Sequence, residues 1–174
     1  MAIKNSYPEL PQLKYAQTSV LMDDVIAYIK TFKENKEVKA AAYAMFREES
    51  GNGRYGVNHN YIGAQADVGR WNEYLLEHVT GTLVKKENDT GDLRRFLTFD
   101  SYKGSIDFLM DRVKKRGLYI GGTTHRIIKM TIKTPEDWAL AYWRDWVKGN
   151  PTIPLPDSKK RDYVSMLKQG ETKF

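Results

Sequence analysis

The sequence predicts a mainly helical α+β protein with a small β-hairpin lobe near its middle. Apolar residues recur at helical spacing in several segments on both sides of the centre. Between about residues 51 and 98 this periodicity lapses and glycines become frequent. Within that region two strand-like segments flank Asn-Asp-Thr-Gly at 88–91, a pattern typical of a hairpin with a loop longer than two residues.

The composition supports one domain over residues 1–174. Hydrophobic residues make up 41% of the chain, which is too much for a disordered protein and enough for one core. We expect an irregular arm at 1–16, and a proline-rich stretch with a basic helix at 151–174. The sequence contains no run of 18 apolar residues, so it does not predict a membrane-spanning helix. The N-terminus lacks the apolar segment of a signal peptide.

The net charge of +6 favours an anionic partner, such as an acidic glycan, a nucleic acid or an anionic lipid. No recognisable nucleic-acid motif supports the second of these, so we expect no nucleic-acid partner. Cysteine is absent, and the three histidines lie far apart without the spacing of metal ligands. We therefore expect neither a metal nor a cofactor. The oligomeric state is left open.

The first half of the chain should hold two helices before the glycine-rich region. Leu21, Val25 and Ile29 fall on one helical face, and Gly51 is a natural stop for the next helix. The predicted helices are about 19–32, 35–51 and a short one at 71–79. The predicted strands are 82–86 and 93–98.

Helices resume after the hairpin. Ser101 is a good N-cap, and Thr134 followed by Pro135 is a strong helix start. Residues 118–133 fit either a strand or a short helix, since their apolar residues alternate only in part. The predicted helices of this half are about 101–117, 134–149 and 158–168.

Glu49 is the most informative single residue. Successive residues of an α-helix are about 100° apart, which puts Glu49 near the middle of the apolar face of the second helix and Glu48 outside that face. The helix end could fray here, or the carboxylate could pair with an arginine. Alternatively, the carboxyl group lies in a cleft wall, where desolvation favours the protonated form that a general acid needs.

Several short segments resemble one family. Residues 49–53 (Glu-Ser-Gly-Asn-Gly) and 58–63 (Asn-His-Asn-Tyr-Ile-Gly) resemble the Glu-Ser-Gly-Trp-Gly and Asn-Asn-Leu-Phe-Gly signature of β-N-acetylglucosaminidases that cut peptidoglycan. Residues 96–102 are similar to that family's Phe-Arg-x-Tyr-Asp-Ser segment. Residues 63–65 (Gly-Ala-Gln) also resemble lytic transglycosylases and goose-type lysozymes. The order holds across about 36–119.

The resemblance implies a lysozyme-like fold and cleavage of the peptidoglycan backbone, with Glu49 as general acid. It also implies Tyr61 and Tyr119 at the cleft, with Tyr119 among the catalytic residues. The substrate-binding residues expected from the same segments are Ser50, Asn60, Tyr61 and Gln65. This sequence has Asn52 where the signature has tryptophan, which leaves open which glycosidic bond is cut.

Asp67 is the best candidate for a second catalytic carboxylate, although an acid in a surface turn explains it equally well. A separation of about 5 Å from the first carboxyl would indicate retention, and about 6.5–9.5 Å inversion. Without a second carboxylate, the 2-acetamido oxygen of the substrate could act as nucleophile. In a lytic transglycosylase the 6-hydroxyl of the muramyl sugar replaces water.

Aromatic and basic residues supply the remaining candidates. Trp71 and Tyr74 could contact sugar or simply pack. Three further aromatic residues lie at i, i+4 and i+8 on one helical face: Trp138, Tyr142 and Trp146. This spacing favours packing in the core over a surface on which sugars stack. A basic cluster is either a solvated face or a binding site for carboxylates or phosphates: Arg112, Lys114, Lys115, Arg116, His125, Arg126 and Lys129.

The favoured function is therefore a peptidoglycan glycosidase that acts on the bacterial cell wall. It would be a phage endolysin, a virion component or a delivered effector, made without an ordinary signal peptide. The activity expected is that of an N-acetylglucosaminidase, and a lysozyme or lytic transglycosylase acting on the neighbouring bond is the first alternative. Two others remain open: a non-catalytic glycan-binding module of the same fold, and a basic nucleic-acid-binding protein with strongly salt-dependent binding.

Overall fold

The computed structural model describes Tyr7 and residues 9–67, 69–87 and 90–174. It is a helix-rich α+β fold with two small antiparallel sheets, which confirms the predicted α+β class, while the lysozyme-like identity stays a prediction. The helices are α1 (Met22–Lys30), α2 (Lys36–Ser50), α3 (Glu73–Leu76), α4 (Tyr102–Arg116), α5 (Pro135–Ala141) and α6 (Asp157–Glu171). The strands are β1 (Gln17–Thr18), β2 (Gly56–Val57), β3 (Val79–Lys86) and β4 (Leu93–Phe99).

Contacts within the chain define two compact units. Unit 1 comprises Met1–Val25 and Glu48–Phe108, and unit 2 comprises Ile26–Arg47 and Leu109–Phe174. Each unit is described by itself, and the single domain expected from composition stays a prediction. Among the described residues, no helix is both long and apolar enough to cross a membrane.

The predicted hairpin is the main sheet of unit 1. Strands β3 and β4 pair from Val79 with Phe99 to Lys86 with Leu93, so each strand is longer than expected. The start of β3 at Val79 corrects the expectation that the preceding short helix reaches this residue. Positions 88 and 89 of the loop, including Asp89, lie outside the described residues.

Residues 11–13 of the N-terminal arm lie along the free edge of β3 through one isolated bridge, and the other described residues up to 16 have no regular structure, as predicted. The Leu13 amide donates to the Thr82 carbonyl (2.8 Å), and the Thr82 amide donates to the Pro11 carbonyl (2.9 Å). Gly81 permits this approach, because a Cβ there would lie 2.3 Å from the Pro11 oxygen. The arm thus covers a strand edge that would otherwise be exposed.

Unit 2 has an aromatic centre built from helices. Trp138 stacks on Tyr142 with ring centroids 5.2 Å apart, and Tyr142 meets Tyr163 edge-on at 4.9 Å. All three side chains are buried, which confirms core packing for Trp138 and Tyr142. Trp146 is half-buried, and the Arg116 guanidinium lies 4.8 Å from its ring centroid.

Several local expectations were wrong. Leu21 is 73% exposed because α1 begins only at Met22, after that residue. Residues 142–147 form a π-helix instead of continuing α5, as the bond from the Lys148 amide to the Trp143 carbonyl shows. Over six residues the sequence pattern does not separate these two periods. Residues 118–133 form neither a strand nor a helix, but a loop with one bridge between Thr123 and Thr131.

Other helix predictions were confirmed. Helix α4 matches its expected range to within a residue, and α6 is longer than expected. Thr134 caps α5 in a capping box with Asp137, as the sequence indicates. Helix α2 begins at Lys36, with the Asn35 side chain accepting a hydrogen bond from the Val38 amide (3.0 Å).

Candidate functional site

Unit 1 contains a groove of about 290 Å³ next to the C-terminal end of α2. Its walls come from that helix end, from the glycine-rich segment that follows and from the β3–β4 hairpin. The lining residues are Glu49, Tyr55, Val57, Asn60, Tyr61, Gly63, Leu83, Lys85, Phe96 and Leu97. The volume is just below the roughly 300–1,000 Å³ usual for small-ligand sites.

Glu49 lines the groove and is half-buried. We expected this from its position on the apolar face of the helix, but α2 has no single apolar face. Residues 40–46 of α2 are buried on every side of the helix, so no single apolar stripe marks the inward direction. Glu48 is half-buried as well, yet it is not among the lining residues. Position at the helix end beside the groove therefore distinguishes the two acids better than burial does.

A left-handed turn ends α2 and directs the chain along the groove. Gly51, Asn52 and Gly53 all have positive φ, at 57°, 60° and 80°. Asparagine tolerates this conformation better than a tryptophan would, which explains the residue found at position 52. The Gly53 amide donates to the Ser50 hydroxyl oxygen (2.8 Å), and the Tyr55 amide donates to the Ser50 carbonyl (2.9 Å).

Ser50 thus has a structural role in the turn, while its expected contact with substrate stays a prediction. Its side chain is fully buried, and its hydroxyl is engaged in the turn. Gly53 is equally constrained, because the Val20 amide donates to its carbonyl (2.8 Å) and a Cβ at Gly53 would lie 2.3 Å from the Val20 oxygen. These contacts fix the backbone directly after Glu49.

A second tight turn follows β2. Asn58 and His59 have φ of 49° and 61°, as the central residues of a type I′ hairpin turn do. The Asn60 amide donates back to the Val57 carbonyl (2.9 Å), and the Asn58 side chain accepts a bond from the Ala16 amide (2.9 Å). Sequence periodicity gave no sign of this β1–β2 region because its strands have only two residues each.

Asn60 lines the groove, but its side chain is occupied by hydrogen bonds to backbone groups of the protein. Its Nδ2 donates to the carbonyls of Ala64 (2.9 Å) and Leu97 (2.8 Å), and its Oδ1 accepts from the Ala64 amide (3.0 Å). These bonds join the loop after the turn to β4. Asn60 therefore holds the groove wall, and a direct substrate bond would have to replace one of these contacts.

Tyr61 forms part of the wall, as expected. Its amide donates to the Ser105 hydroxyl oxygen (2.9 Å), and Ser105 in turn donates to the His59 carbonyl (2.7 Å). Burial raises the pKa of the Tyr61 phenol above its ordinary value, and a hydrogen bond with Thr18 offsets part of that effect. The phenol is therefore uncharged at neutral pH.

Three other predicted residues are not among those that line the groove. Asp67 lies in a turn, and its carboxylate pairs with Arg70 at 2.5 Å. Gln65 bonds through its backbone carbonyl to the Trp71 indole N–H (2.9 Å). The Trp71 ring is buried against Phe108, with centroids 4.5 Å apart, so packing accounts for it better than sugar contact.

Tyr119 belongs to unit 2, where it is half-buried just after α4. Its expected place at the cleft stays a prediction. In the same unit several members of the basic cluster pair with acids: Lys114 with Glu34, Lys115 with Asp111 and Arg116 with Asp145. The pairs of the exposed Lys114 and Lys115 favour a solvated face for their part of the cluster, whereas the Arg116–Asp145 pair is buried within unit 2.

Sequence reasoning missed the most accessible groove residues. Tyr55 is 63% exposed, and the Lys85 ammonium lies 4.5 Å from the centroid of the Phe96 ring. Alternation along β3 puts Leu83 and Lys85 on one face of the hairpin, so the strand pattern contained this signal. Within the described residues, no group of three histidine or acidic side chains is arranged to hold a metal ion.

Comparison with protein-family models, curated proteins and solved structures finds no match to this chain. The resemblance of the segments around Glu49 therefore rests on those residues alone and stays an expectation.

The Asn60 network predicts a large loss of stability in Asn60→Ala. The substitution removes four side-chain bonds and leaves buried main-chain groups unpaired, which should lower the free energy of unfolding by about 3 kcal/mol. Asn72→Ala is the control, since Asn72 is exposed and makes no side-chain cap bond. Urea denaturation measures both; a loss below about 1 kcal/mol for Asn60→Ala would contradict the structural role.

The turn after α2 predicts a difference between two glycine substitutions. Gly53→Ala and Gly69→Ala both put alanine at positive φ, which costs about 1–2 kcal/mol. Only Gly53→Ala adds a collision with Val20, because the space around Gly69 is open. Thermal unfolding should therefore show a distinctly lower midpoint for Gly53→Ala. Equal midpoints would mean that this turn does not constrain the backbone as described.

Proposed function

We propose that this chain is a peptidoglycan glycosidase of lysozyme-like fold, with Glu49 as its general acid and the bacterial cell wall as its place of action. The observation that carries the proposal is a half-buried glutamate at a helix end, set in the wall of a groove with aromatic side chains. Helices with a β-hairpin beside that glutamate are the arrangement that the resemblance leads one to expect.

The groove is suited to a sugar ring in its chemistry. Tyr55 offers exposed aromatic surface for the apolar face of a sugar, and Tyr61 and Phe96 are buried parts of the groove wall. Glu49 and Lys85 offer polar contacts for hydroxyl and acidic groups. Glu49 lies in the wall of the groove, where its carboxyl group can meet a glycosidic oxygen. The proposed role requires this carboxyl group to carry a proton when the substrate binds.

The proposed reaction begins with proton transfer from Glu49 to the glycosidic oxygen. The bond between that oxygen and the anomeric carbon then breaks with the electron pair leaving on oxygen, and positive charge develops on the sugar. A nucleophile captures the anomeric carbon. If the nucleophile is a 6-hydroxyl group, ionised Glu49 accepts the hydroxyl proton and the anhydro product forms. If it is the 2-acetamido oxygen, a cyclic oxazolinium ion forms; water then attacks the anomeric carbon, the bond to the acetamido oxygen breaks, and ionised Glu49 accepts the proton of the water.

The source of the nucleophile follows from the acids available. Glu49 is the one carboxylate among the described residues that line the groove, and Asp67 is paired with Arg70. The proposal therefore favours a nucleophile supplied by the substrate. It would be the 2-acetamido oxygen in an N-acetylglucosaminidase or the 6-hydroxyl of the muramyl sugar in a lytic transglycosylase, the alternative activity.

Glu49→Gln tests the assignment of the general acid. The amide keeps the shape of the side chain but has no proton to donate, so release of sugar from purified peptidoglycan should fall by at least about 100-fold. Glu48→Gln is the matched control, because it changes the neighbouring half-buried acid of the same helix and should retain activity. Reducing-end release and turbidity loss are the measurements.

Two results of this comparison would contradict parts of the proposal, and a third measurement separates the two activities. Equal activity of the wild type and Glu49→Gln would remove Glu49 from the mechanism. Binding of the wild type to insoluble peptidoglycan without any product would make the protein a non-catalytic glycan-binding module. Mass spectrometry of the products distinguishes the two activities, because an anhydro-muramyl end arises only by transglycosylation.

The exposed ring of Tyr55 generates a second prediction. Tyr55→Ala removes aromatic surface at the groove and should weaken binding of the saccharide, raising KM by roughly 5- to 20-fold with a smaller change in kcat. Tyr74→Ala is the control, since Tyr74 is similarly exposed (57%) and does not line the groove. An unchanged KM in Tyr55→Ala would exclude stacking on this ring.

A further inference from the structure

Two cations face each other across the hairpin at the groove. Lys85 of β3 pairs in register with Arg94 of β4. Like charges directly opposite each other destabilise a sheet, so each must be compensated or serve another purpose. Arg94 is compensated, because its Nε lies 3.2 Å from the Glu87 carboxylate.

Lys85 differs from Arg94 in this respect. Among the described residues, no carboxylate lies within ion-pair distance of its ammonium group, and Glu87 is already bonded to Arg94 and Thr90. The Lys85 side chain is exposed, and its ammonium group lies over the ring of Phe96, which lines the same groove. The aromatic face holds the charge in place without neutralising it.

We infer that Lys85 is a specificity-determining residue that binds a carboxylate carried by the saccharide in the groove. This inference rests on the proposed function and narrows its substrate to acidic amino sugars or to glycans with acidic substituents. A lysine serves such a group as a compact charge that tolerates several geometries, unlike the planar fork of arginine. A neutral glycan of the same length has no carboxylate for Lys85 to bind, so Lys85 should not increase its affinity.

Binding to the full-length chain carrying Glu49→Gln tests the inference without turnover. The probes are a muramic-acid-containing oligosaccharide and the same oligosaccharide with its carboxyl groups converted to methylamides. Lys85→Met added to Glu49→Gln should weaken binding of the acidic probe about fivefold and leave the neutral probe unchanged. The weakening should shrink as salt is raised.

Lys86→Met in the same background is the matched control. Lys86 is the next residue of β3, is exposed and does not line the groove. Lys85→Arg keeps the charge and should retain preference for the acidic probe. Equal weakening of both probes by Lys85→Met, or equal effects of Lys85→Met and Lys86→Met, would overturn the assignment of Lys85.

Failure of the inference and failure of the proposed function give different results. Wild-type and Glu49→Gln chains that bind both probes, with no effect of Lys85→Met, overturn the inference alone. A wild-type chain that binds neither probe and releases no sugar overturns the proposed function and the inference together.

Discussion

The candidate site depends on two left-handed backbone segments that polar side chains hold in place. The first, at Gly51–Gly53, is fixed through Ser50, and the second, at Asn58–His59, is followed by the Asn60 network. Neither segment belongs to a regular helix or to a strand of more than two residues. Side-chain bonds to main-chain groups therefore take over the role that periodic hydrogen bonding has elsewhere, and they set the groove wall beside Glu49.

This constraint changes what the sequence pattern around Glu49 means. Ser50 and Asn60 were expected to touch substrate, but their side chains form hydrogen bonds with backbone groups of the protein. The side chains that remain accessible are Tyr55 and Lys85, which the pattern did not single out. A short polar sequence motif can thus be required for backbone geometry. The residues that contact a ligand can then be neighbours that the motif does not include.

The parts of the fold that were predictable are those with a repeating physical signal. Helix α4 and the hairpin follow from periodicity, and α5 follows from its capping residues. The β1–β2 pair and the π-helix have too few residues for their period to register. In the site, the end of α2 located Glu49, but no local pattern could pair it with Phe96, which is 47 positions further along the chain.

Glu48 and Glu49 show why local sequence was insufficient for the site. They are adjacent, chemically identical and both half-buried near the end of α2. Burial therefore does not separate them. What separates them is the surface that each one meets: Glu49 shares a groove with hairpin residues such as Leu83 and Phe96, and Glu48 does not. Since a carboxyl group can act as a general acid only where a substrate can reach it, tertiary pairing and not helix position decides which of the two can perform the chemistry.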